Sequence, residues 1–208
     1  MEIASPIHRL EWGVARQTAP GESVTGDAHL LLPHQRGLLL AVIDGSGHGP
    51  EAAHAAAWAV ATLRGMPECS VLEQLNRCHA ALARTRGVVM TLADFNRHDQ
   101  TLTLCGVGNV EAVLFRAETA ADNATSESAL LRGGVVGAQL PAPYAAVVPV
   151  HAGDVLVMAT DGVRTDFSRN TALHNPPQRA ADQLLRQHAR GTDDALVLVA
   201  RFPTPADE

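Results

Sequence analysis

Aspartate residues stand at the ends of four apolar runs of this sequence. Asp27 opens the run GDAHLLL, and Asp44 closes the run LLLAVIDG. Asp161 closes VLVMATDG, and the doublet Asp193-Asp194 opens DDALVLVAR. A short apolar run bounded by glycine is typical of a buried strand, so each run would bring a carboxylate to a sheet edge. Carboxylates gathered at one edge repel each other unless a cation neutralises them.

Oxygen ligands of this kind suit a hard divalent ion such as Mg²⁺ or Mn²⁺ rather than zinc. Other catalytic devices are missing from the sequence. The chain contains no lysine, which excludes a phosphate-binding P-loop, and it has neither a G-x-S-x-G nor an H-E-x-x-H motif. Carboxylates without a nucleophile indicate metal-activated water, and a pair of ions in such a site hydrolyses phosphoesters.

The dipeptides Asp44-Gly45 and Asp161-Gly162 have an alternative interpretation as hairpin turns. After Asp44, however, the sequence IDGSGHGPEAAHAAA passes from a strand through a glycine-rich turn into a helix, without a second strand. Glycines allow the backbone to approach a small ligand closely, and the Gly45 carbonyl could be a further oxygen ligand. His48 could donate a proton, belong to the metal shell or hydrogen-bond the loop, and these alternatives stay open.

Four other titratable residues have structural interpretations. Glu51 lies in the first turn of the expected helix, where the helix dipole favours a carboxylate, and His54 follows on the same helix. Asp154 is expected in a turn before a strand, and Asp94 is expected to face solvent from within a strand.

Composition favours one soluble globular domain. The length of 208 residues suffices for one sizeable core, which predicts a single domain over 1–208 with 203–208 as a frayed tail. A net charge of −6 is unfavourable for binding nucleic acid or an anionic membrane, and no apolar run of about 20 residues could span a bilayer. The N-terminus does not resemble a signal peptide, and the three cysteines match no zinc spacing. We therefore expect a cytoplasmic monomer with reduced thiols.

Periodicity predicts strands followed by two helices, further strands, one helix and a last strand. The first helix begins at Pro50, and the second spans 70–84 with Ser70 and Glu73 in a capping box. The other predicted elements are strands at 7–15, 28–33 and 38–43, a hairpin over 88–108, a strand at 110–116, a loop at 117–128, strands at 144–150 and 154–160, a helix at 178–189 and a strand at 195–202. Segregated helices and long runs of strands indicate an α+β fold with helices outside a mostly antiparallel sheet pair.

The acidic blocks resemble those of a known family. Gly26-Asp27, AVIDGSGHG (41–49), ATDGV (159–163) and DDALVLV (193–199) are similar to the four blocks of the metal-dependent protein phosphatase (PPM/PP2C) superfamily, in particular its small bacterial SpoIIE-like branch. Their order and spacing extend over nearly the whole chain. The segment CGVGNVEAVLF (105–115), after a hairpin that begins RGVVMTL, resembles the RsbX group of stressosome phosphatases.

The resemblance implies an α-β-β-α sandwich, in which two mostly antiparallel sheets pack together with helices on both outer faces. It also implies two Mn²⁺ or Mg²⁺ ions at one end of the sandwich. Asp44 would bridge the ions and Gly45 would offer its carbonyl, while Asp161 and a member of the Asp193-Asp194 doublet would hold one ion. The doublet alignment favours Asp193. The resemblance also implies Asp27 in the first or second shell. The catalytic candidates are Asp44 and Asp161, together with His48 from its place after the glycine-rich turn.

The implied reaction is direct attack of a bridging hydroxide on phosphoserine or phosphothreonine, without a phosphoenzyme. Implied substrates are phosphorylated STAS-domain proteins of a stressosome-like complex. Two departures from the family pattern concern Leu196, where relatives have Ser or Thr, and Arg16, the nearest candidate for the phosphate-binding arginine of some relatives. A solvent-facing arginine on an early strand is the simpler interpretation of Arg16. Alternative functions are a catalytically silent partner-binding domain and a metal phosphohydrolase of small molecules.

Overall fold

The computed structural model describes residues 10–117, 126–166 and 171–203. Over these residues the chain forms eleven strands, three α-helices and a short 3-10 turn at Thr171–His174. The strands are β1 Glu11–Gln17, β2 Asp27–His34, β3 Gly37–Gly45, β4 Val88–Asn96, β5 Thr101–Val107, β6 Glu111–Phe115, β7 Ser126–Ser128, β8 Leu131–Arg132, β9 Ala146–Pro149, β10 Val155–Ala159 and β11 Ala195–Arg201. The helices are α1 Pro50–Arg64, α2 Val71–Ala81 and α3 Pro177–His188.

The strands form two sheets. One has the order β1-β11-β10-β6-β7 and is antiparallel throughout. The other has the order β2-β3-β4-β5-β8, with β9 also paired to β5. Its single parallel contact joins β5 to the two-residue strand β8.

Side-chain alternation along the strands produces three hydrophobic layers. On β3, Leu40 and Val42 belong to the core between the two sheets, while Leu39, Ala41 and Ile43 belong to the core beneath α1 and α2. Because successive side chains of a strand point to opposite faces, a continuous apolar run is what a strand buried on both sides requires. On the other sheet, β11 alternates in the same way between the inter-sheet core and the core beneath α3. These layers confirm the predicted α-β-β-α sandwich.

The element boundaries agree closely with the sequence patterns. Ser70 caps α2 through a 3.3 Å hydrogen bond that its Oγ accepts from the Glu73 amide, as the capping motif predicts. The expected loop at 117–128 is partly wrong, because its last three residues form β7 against the free edge of β6. Residues 7–9, 118–125 and 204–208 lie outside the described residues, so the frayed tail stays a prediction. No helix in the described ranges is long and apolar enough to cross a membrane.

Two of the structural aspartates have well-defined partners. Asp154 is buried and accepts hydrogen bonds from Arg116 Nη1 at 2.7 Å and from the His151 amide at 2.9 Å, in agreement with its expected place in a turn. The prediction that Asp94 faces solvent is wrong, because its Oδ1 lies 2.7 Å from Nε2 of the nearly buried His34. His34 on β2 and Asp94 on β4 lie close together because both strands pair with β3.

Candidate metal centre

Carboxylates from both sheets meet at one end of the sandwich. Asp27, at the start of β2, stands directly opposite Asp44 near the end of β3 in the antiparallel register. On the other sheet, Asp161 follows the end of β10, and the Asp193-Asp194 doublet precedes the start of β11. Because β10 and β11 are antiparallel neighbours, the end of one lies beside the start of the other. The four acidic blocks therefore come together as their strand-end positions suggest.

Thr160 connects the two sheets at this end. Its hydroxyl donates a 2.8 Å hydrogen bond to Oδ2 of Asp27, which is only 4% exposed. The same hydroxyl oxygen accepts a 2.9 Å hydrogen bond from the amide of Leu196. A side chain of β2, the end of β10 and the backbone of β11 are thus held at one point. The side chain of Leu196 has no hydroxyl and is fully buried in the core between the sheets. The hydroxyl at this junction belongs to Thr160.

We expect Thr160→Val to lower the free energy of unfolding by about 1–3 kcal/mol, because it leaves a buried carboxylate and a buried amide without their partner. Urea denaturation at pH 7 in the presence of Mn²⁺ measures the change. Thr160→Ser retains the hydroxyl and is the matched control, so it should stay close to wild type. Equal stability of the valine variant and wild type would contradict the assigned bonds.

Both carboxylate oxygens of Asp194 accept hydrogen bonds from the backbone of a neighbouring loop. Its Oδ1 accepts a 2.7 Å hydrogen bond from the amide of Ala19, and its Oδ2 accepts one of the same length from the amide of Gly26. The side chain is buried, and its partners lie more than 160 residues away in the sequence. It therefore fastens the loop between β1 and β2 to the start of β11.

Asp193 and Asp161 are more accessible than Asp194. Asp193 is half-buried, and its Oδ1 accepts a 2.8 Å hydrogen bond from the next amide of its own chain. Asp161 is exposed, and its Oδ2 accepts a 2.8 Å hydrogen bond from Nδ2 of Asn109. Nε of Arg190 donates to the Asp161 main-chain carbonyl at 2.8 Å, which holds the turn after β10 in place.

Burial and mutual repulsion change the protonation of the two inner carboxylates. Burial, and after it the charges of Asp27, Asp161, Asp193 and Asp194, together raise the pKa of Asp44 to about 8. Burial likewise raises the pKa of Asp27 to about 7; the Thr160 hydrogen bond lowers it, and the neighbouring aspartates raise it. These carboxyls are close enough to repel each other strongly, and bound cations would relieve the repulsion.

Gly45 lies where only glycine fits. A Cβ at this position would stand 2.1 Å from the carbonyl oxygen of Ala52, because the first turn of α1 packs directly on the end of β3. The turn that leads there contains Gly47 and Gly49 at φ angles of +88° and +76°, which glycine adopts readily. The Gly45 amide also donates a 3.1 Å hydrogen bond to the Gly26 carbonyl. The main chain of Gly26 and of the first turn of α1 therefore packs closely on Gly45, next to Asp44.

His48 stands at the exposed rim of this turn. Its side chain is 68% exposed, and its Nδ1 lies 2.5 Å from Oε1 of Glu22 in the loop between β1 and β2. Of the roles left open by the sequence, the structure shows hydrogen bonding to a loop. A role of His48 in catalysis stays a prediction.

A comparison with known protein families identifies relatives of this chain. The SpoIIE family, described as Stage II sporulation protein E, matches residues 34–203, which is most of the chain. The chain belongs to the SpoIIE family. The predicted resemblance to the SpoIIE-like branch of the PPM phosphatases is thereby confirmed.

Individual relatives agree with this assignment. Phosphoserine phosphatase RsbX of Bacillus subtilis (strain 168) is 29% identical over 94 residues, which cover 45% of this chain and 47% of RsbX. The matched region thus spans about half the length of that curated relative. A chain solved in work on "The bacterial stressosome: a modular system that has been adapted to control secondary messenger signaling" is 28% identical, with a TM-score of 0.86 over 93% of this chain and 100% of that chain.

More distant structures share the fold. RsbX in complex with magnesium superposes with a TM-score of 0.79 at 19% identity, over 93% of this chain and 96% of that one. The Mycobacterium tuberculosis serine/threonine phosphatase PstP/Ppp gives a TM-score of 0.71 at 18% identity, over 94% of this chain and 99% of that one. The SpoIIE-family chain therefore has the PP2C-type sandwich.

The donor set of this SpoIIE-family site fits hard divalent ions. Carboxylate and carbonyl oxygens are the ligands that Mg²⁺ and Mn²⁺ prefer, and the residues that converge here offer aspartate side chains and the Gly45 carbonyl. Among the described residues, no three acidic, histidine or cysteine side chains form a closed ligand set around one point. Each ion would therefore take few protein ligands and keep several waters, as Mg²⁺ commonly does.

Sequence reasoning missed three residues that shape this site: Thr160, Asn109 and Arg190. Each acts on an aspartate from a distant block of the chain, so its role depends on contacts that spacing does not reveal. A weak signal was available for two of them. Thr160 is a polar residue directly before Asp161, and Asn109 follows a glycine at a strand end.

Proposed function

We propose that this chain is a metal-dependent protein serine/threonine phosphatase that uses two Mn²⁺ or Mg²⁺ ions. The observation that carries the proposal is the convergence of Asp27, Asp44, Asp161 and Asp193 from two sheets onto one sandwich end. So many carboxylates repel one another there that a cationic occupant is the simplest explanation for their placement. The relative RsbX is a phosphoserine phosphatase and PstP/Ppp is a serine/threonine phosphatase, which supports the same chemistry.

The proposed ligands follow from accessibility. Asp44 and the Gly45 carbonyl, together with Asp161 and Asp193, would hold the ions. Asp27 is buried and bonded to Thr160, which suits a residue that supports the ligands. Asp194 has both oxygens engaged by amides, which favours Asp193 as the ligand of the doublet. Divalent ions bound there would activate water and neutralise the charge of a phosphoryl group.

The protein's own residues would orient the reaction. Asn109 holds one oxygen of Asp161, and Arg190 holds its carbonyl, so the Asp161 side chain has a restricted orientation. Attack of water on phosphorus breaks the bond to the serine or threonine oxygen, which then needs a proton. His48 is the proposed donor because its imidazole is exposed at the rim and oriented by Glu22.

The site opens to solvent in a way that suits a protein substrate. Asp161, Asn109, Gly47 and His48 are all exposed, so a phosphorylated side chain on another protein could reach the carboxylates. By similarity to RsbX and to the chain from the stressosome work, we propose phosphorylated STAS-domain proteins of a stressosome-like complex as substrates. We further propose that the chain acts as a monomer in the cytoplasm, where its three free cysteines would remain reduced.

Phosphate release from a phosphorylated STAS-domain protein tests this function. We expect release with Mn²⁺ that stops when EDTA is added. Release of phosphate from p-nitrophenyl phosphate, but not from any phosphoprotein, would favour the small-molecule phosphohydrolase. No release from either compound by a folded protein that binds Mn²⁺ would favour the silent binding domain.

A further inference from the structure

A cleft leads away from the metal centre between β1, β2 and α1. Its volume is about 370 Å³, and Asp27 lies at the end that it shares with the centre. Ala57, Val60 and Ala61 of α1 form an apolar wall of this β2–α1 cleft. Apart from Asp27, the residues that line the cleft have no part in the mechanism described above, so the cleft is unassigned.

Two arginines line the β2–α1 cleft without an acidic partner. Arg16 on β1 and Arg64 at the end of α1 are exposed. Neither forms an ion pair with a carboxylate in the described part of the chain. His29 also lines the cleft, and burial with the nearby Arg16 charge lowers its pKa, so the arginines supply the positive charge near neutral pH. On a chain of net charge −6, this local positive charge favours a negatively charged ligand.

The positions of Asp27 and Arg64 along α1 suit a short extended peptide in the cleft. Ala52 packs against Gly26 beside the metal centre, and Arg64 lies twelve residues further along the same helix. A helix rises about 1.5 Å per residue, which places the Arg64 backbone roughly 18 Å from that of Ala52 along α1. An extended chain covers about 3.3 Å per residue, so five to six substrate residues, roughly, would span this distance.

An exposed aromatic residue continues the surface. Trp12 is 42% exposed, and its ring centroid lies 6.3 Å from that of His29. Exposed tryptophans beside arginines are frequent centres of protein interfaces. An apolar wall, two unpaired cations and a neighbouring tryptophan suit a polypeptide segment better than a small anion.

We propose that the β2–α1 cleft binds an acidic segment of the phosphoprotein substrate, about five to six residues from the phosphorylated side chain, with Arg64 as a specificity-determining residue. This inference rests on the proposed phosphatase function, because it assigns the cleft to the substrate of that site. Because Arg64 stands in the last turn of α1, whereas the first turn packs beside the carboxylates, it would affect substrate binding and leave the chemical step unchanged.

The test uses the full chain with Mn²⁺ and three phosphoserine peptides of equal length. One carries glutamates roughly four to seven positions before the phosphoserine, one carries them after it, and one has glutamines instead, so that together they cover both directions along the cleft. We expect one acidic peptide to have a kcat/KM roughly fivefold above that of the neutral peptide, mainly through a lower KM. Arg64→Glu should abolish this preference and leave p-nitrophenyl phosphate turnover unchanged. Arg64→Lys should retain part of the preference.

Arg186→Glu is the matched control, because Arg186 is also an exposed arginine in the last turn of a helix, on α3. It should leave the preference intact, and melting temperatures of both variants check that they are folded. Equal kcat/KM for the three peptides in wild type would overturn the proposal, because the arginines of the cleft would then not recognise the glutamates of the substrate. An equal loss in the Arg186 variant would also overturn it, because the effect would come from overall charge.

Binding of unphosphorylated, fluorescently labelled versions of the peptides separates this proposal from the proposed function. Fluorescence anisotropy should show tighter binding of the acidic peptide to wild type than to Arg64→Glu. Such binding without any dephosphorylation would support the acidic cleft and contradict the phosphatase function. Dephosphorylation of all three peptides without selective binding would support the phosphatase function and overturn the acidic cleft.

Discussion

Asp44→Asn is expected to abolish metal-dependent phosphate release, with a loss on the order of 10³-fold or more, since a metal ion supplies several kcal/mol of transition-state stabilisation. The asparagine keeps the size of the side chain and one carbonyl oxygen but removes the charge between the two proposed ions. Asp161→Asn should have a comparable effect. Turnover of p-nitrophenyl phosphate and of a phosphoserine peptide at saturating Mn²⁺ measures both variants.

These losses should occur in folded protein. In EDTA near pH 7, the Asp44→Asn variant should melt at or above the wild-type temperature, because it removes one carboxylate from a repelling group. Asp182→Asn on α3 is the control for the substitution itself, because within the described ranges that carboxylate has a single hydrogen-bond partner, Gln178 of its own helix. Full activity of both Asp44→Asn and Asp161→Asn would contradict the assigned metal site.

The metal-free protein is expected to lose stability as pH rises from about 4 to about 8. Burial and neighbouring charges raise the pKa of Asp44 from 3.8 to about 8, and that of Asp27 from 3.8 to about 7. The folded state therefore binds protons more tightly than the unfolded state, so the contribution of these carboxyls is fully present below pH 4 and is lost as pH rises through the folded values. The combined loss is on the order of a few kcal/mol.

Thermal melts in EDTA and in Mn²⁺ at several pH values test this expectation. Bound Mn²⁺ should raise the melting temperature much more at pH 8 than at pH 5, because it binds the ionised carboxylates and competes with protons. In EDTA, Asp44→Asn should show a shallower decline than wild type, whereas the Asp182→Asn control should follow wild type. A metal-free stability that stays level or increases between pH 5 and pH 8 would show that the carboxyls do not repel as described.

The fold was largely predictable because burial on both faces leaves a strong signal. Continuous apolar runs as short as those of β3 and β11 are typical of strands buried between two layers, and their polar ends define the sheet edges. Short edge strands were not predictable in the same way. β7 and β8 comprise three and two residues, and they exist because β6 and β5 offer open backbone groups, not because of their own sequence.

Which residue of the Asp193-Asp194 doublet is accessible could not be predicted from the sequence pattern. The two residues have the same side chain and the same apolar neighbours, so spacing favoured Asp193 only through resemblance. In the fold, Asp194 turns inward and accepts the amides of Ala19 and Gly26, while Asp193 stays accessible. Successive residues at a strand start point in opposite directions, and which direction faces the loop depends on packing.

The sequence by itself determined which carboxylates the proposed centre can use, because the type of each acidic residue and its place at a strand end are local properties. It also determined the layered fold, since two-sided burial is encoded in the hydrophobic pattern of each strand. Only the tertiary structure decided that Thr160 holds Asp27, that Asp194 fastens a loop, and that Arg16 and Arg64 share one cleft. These contacts join residues from distant parts of the chain, and their geometry depends on how the two sheets and α1 pack together.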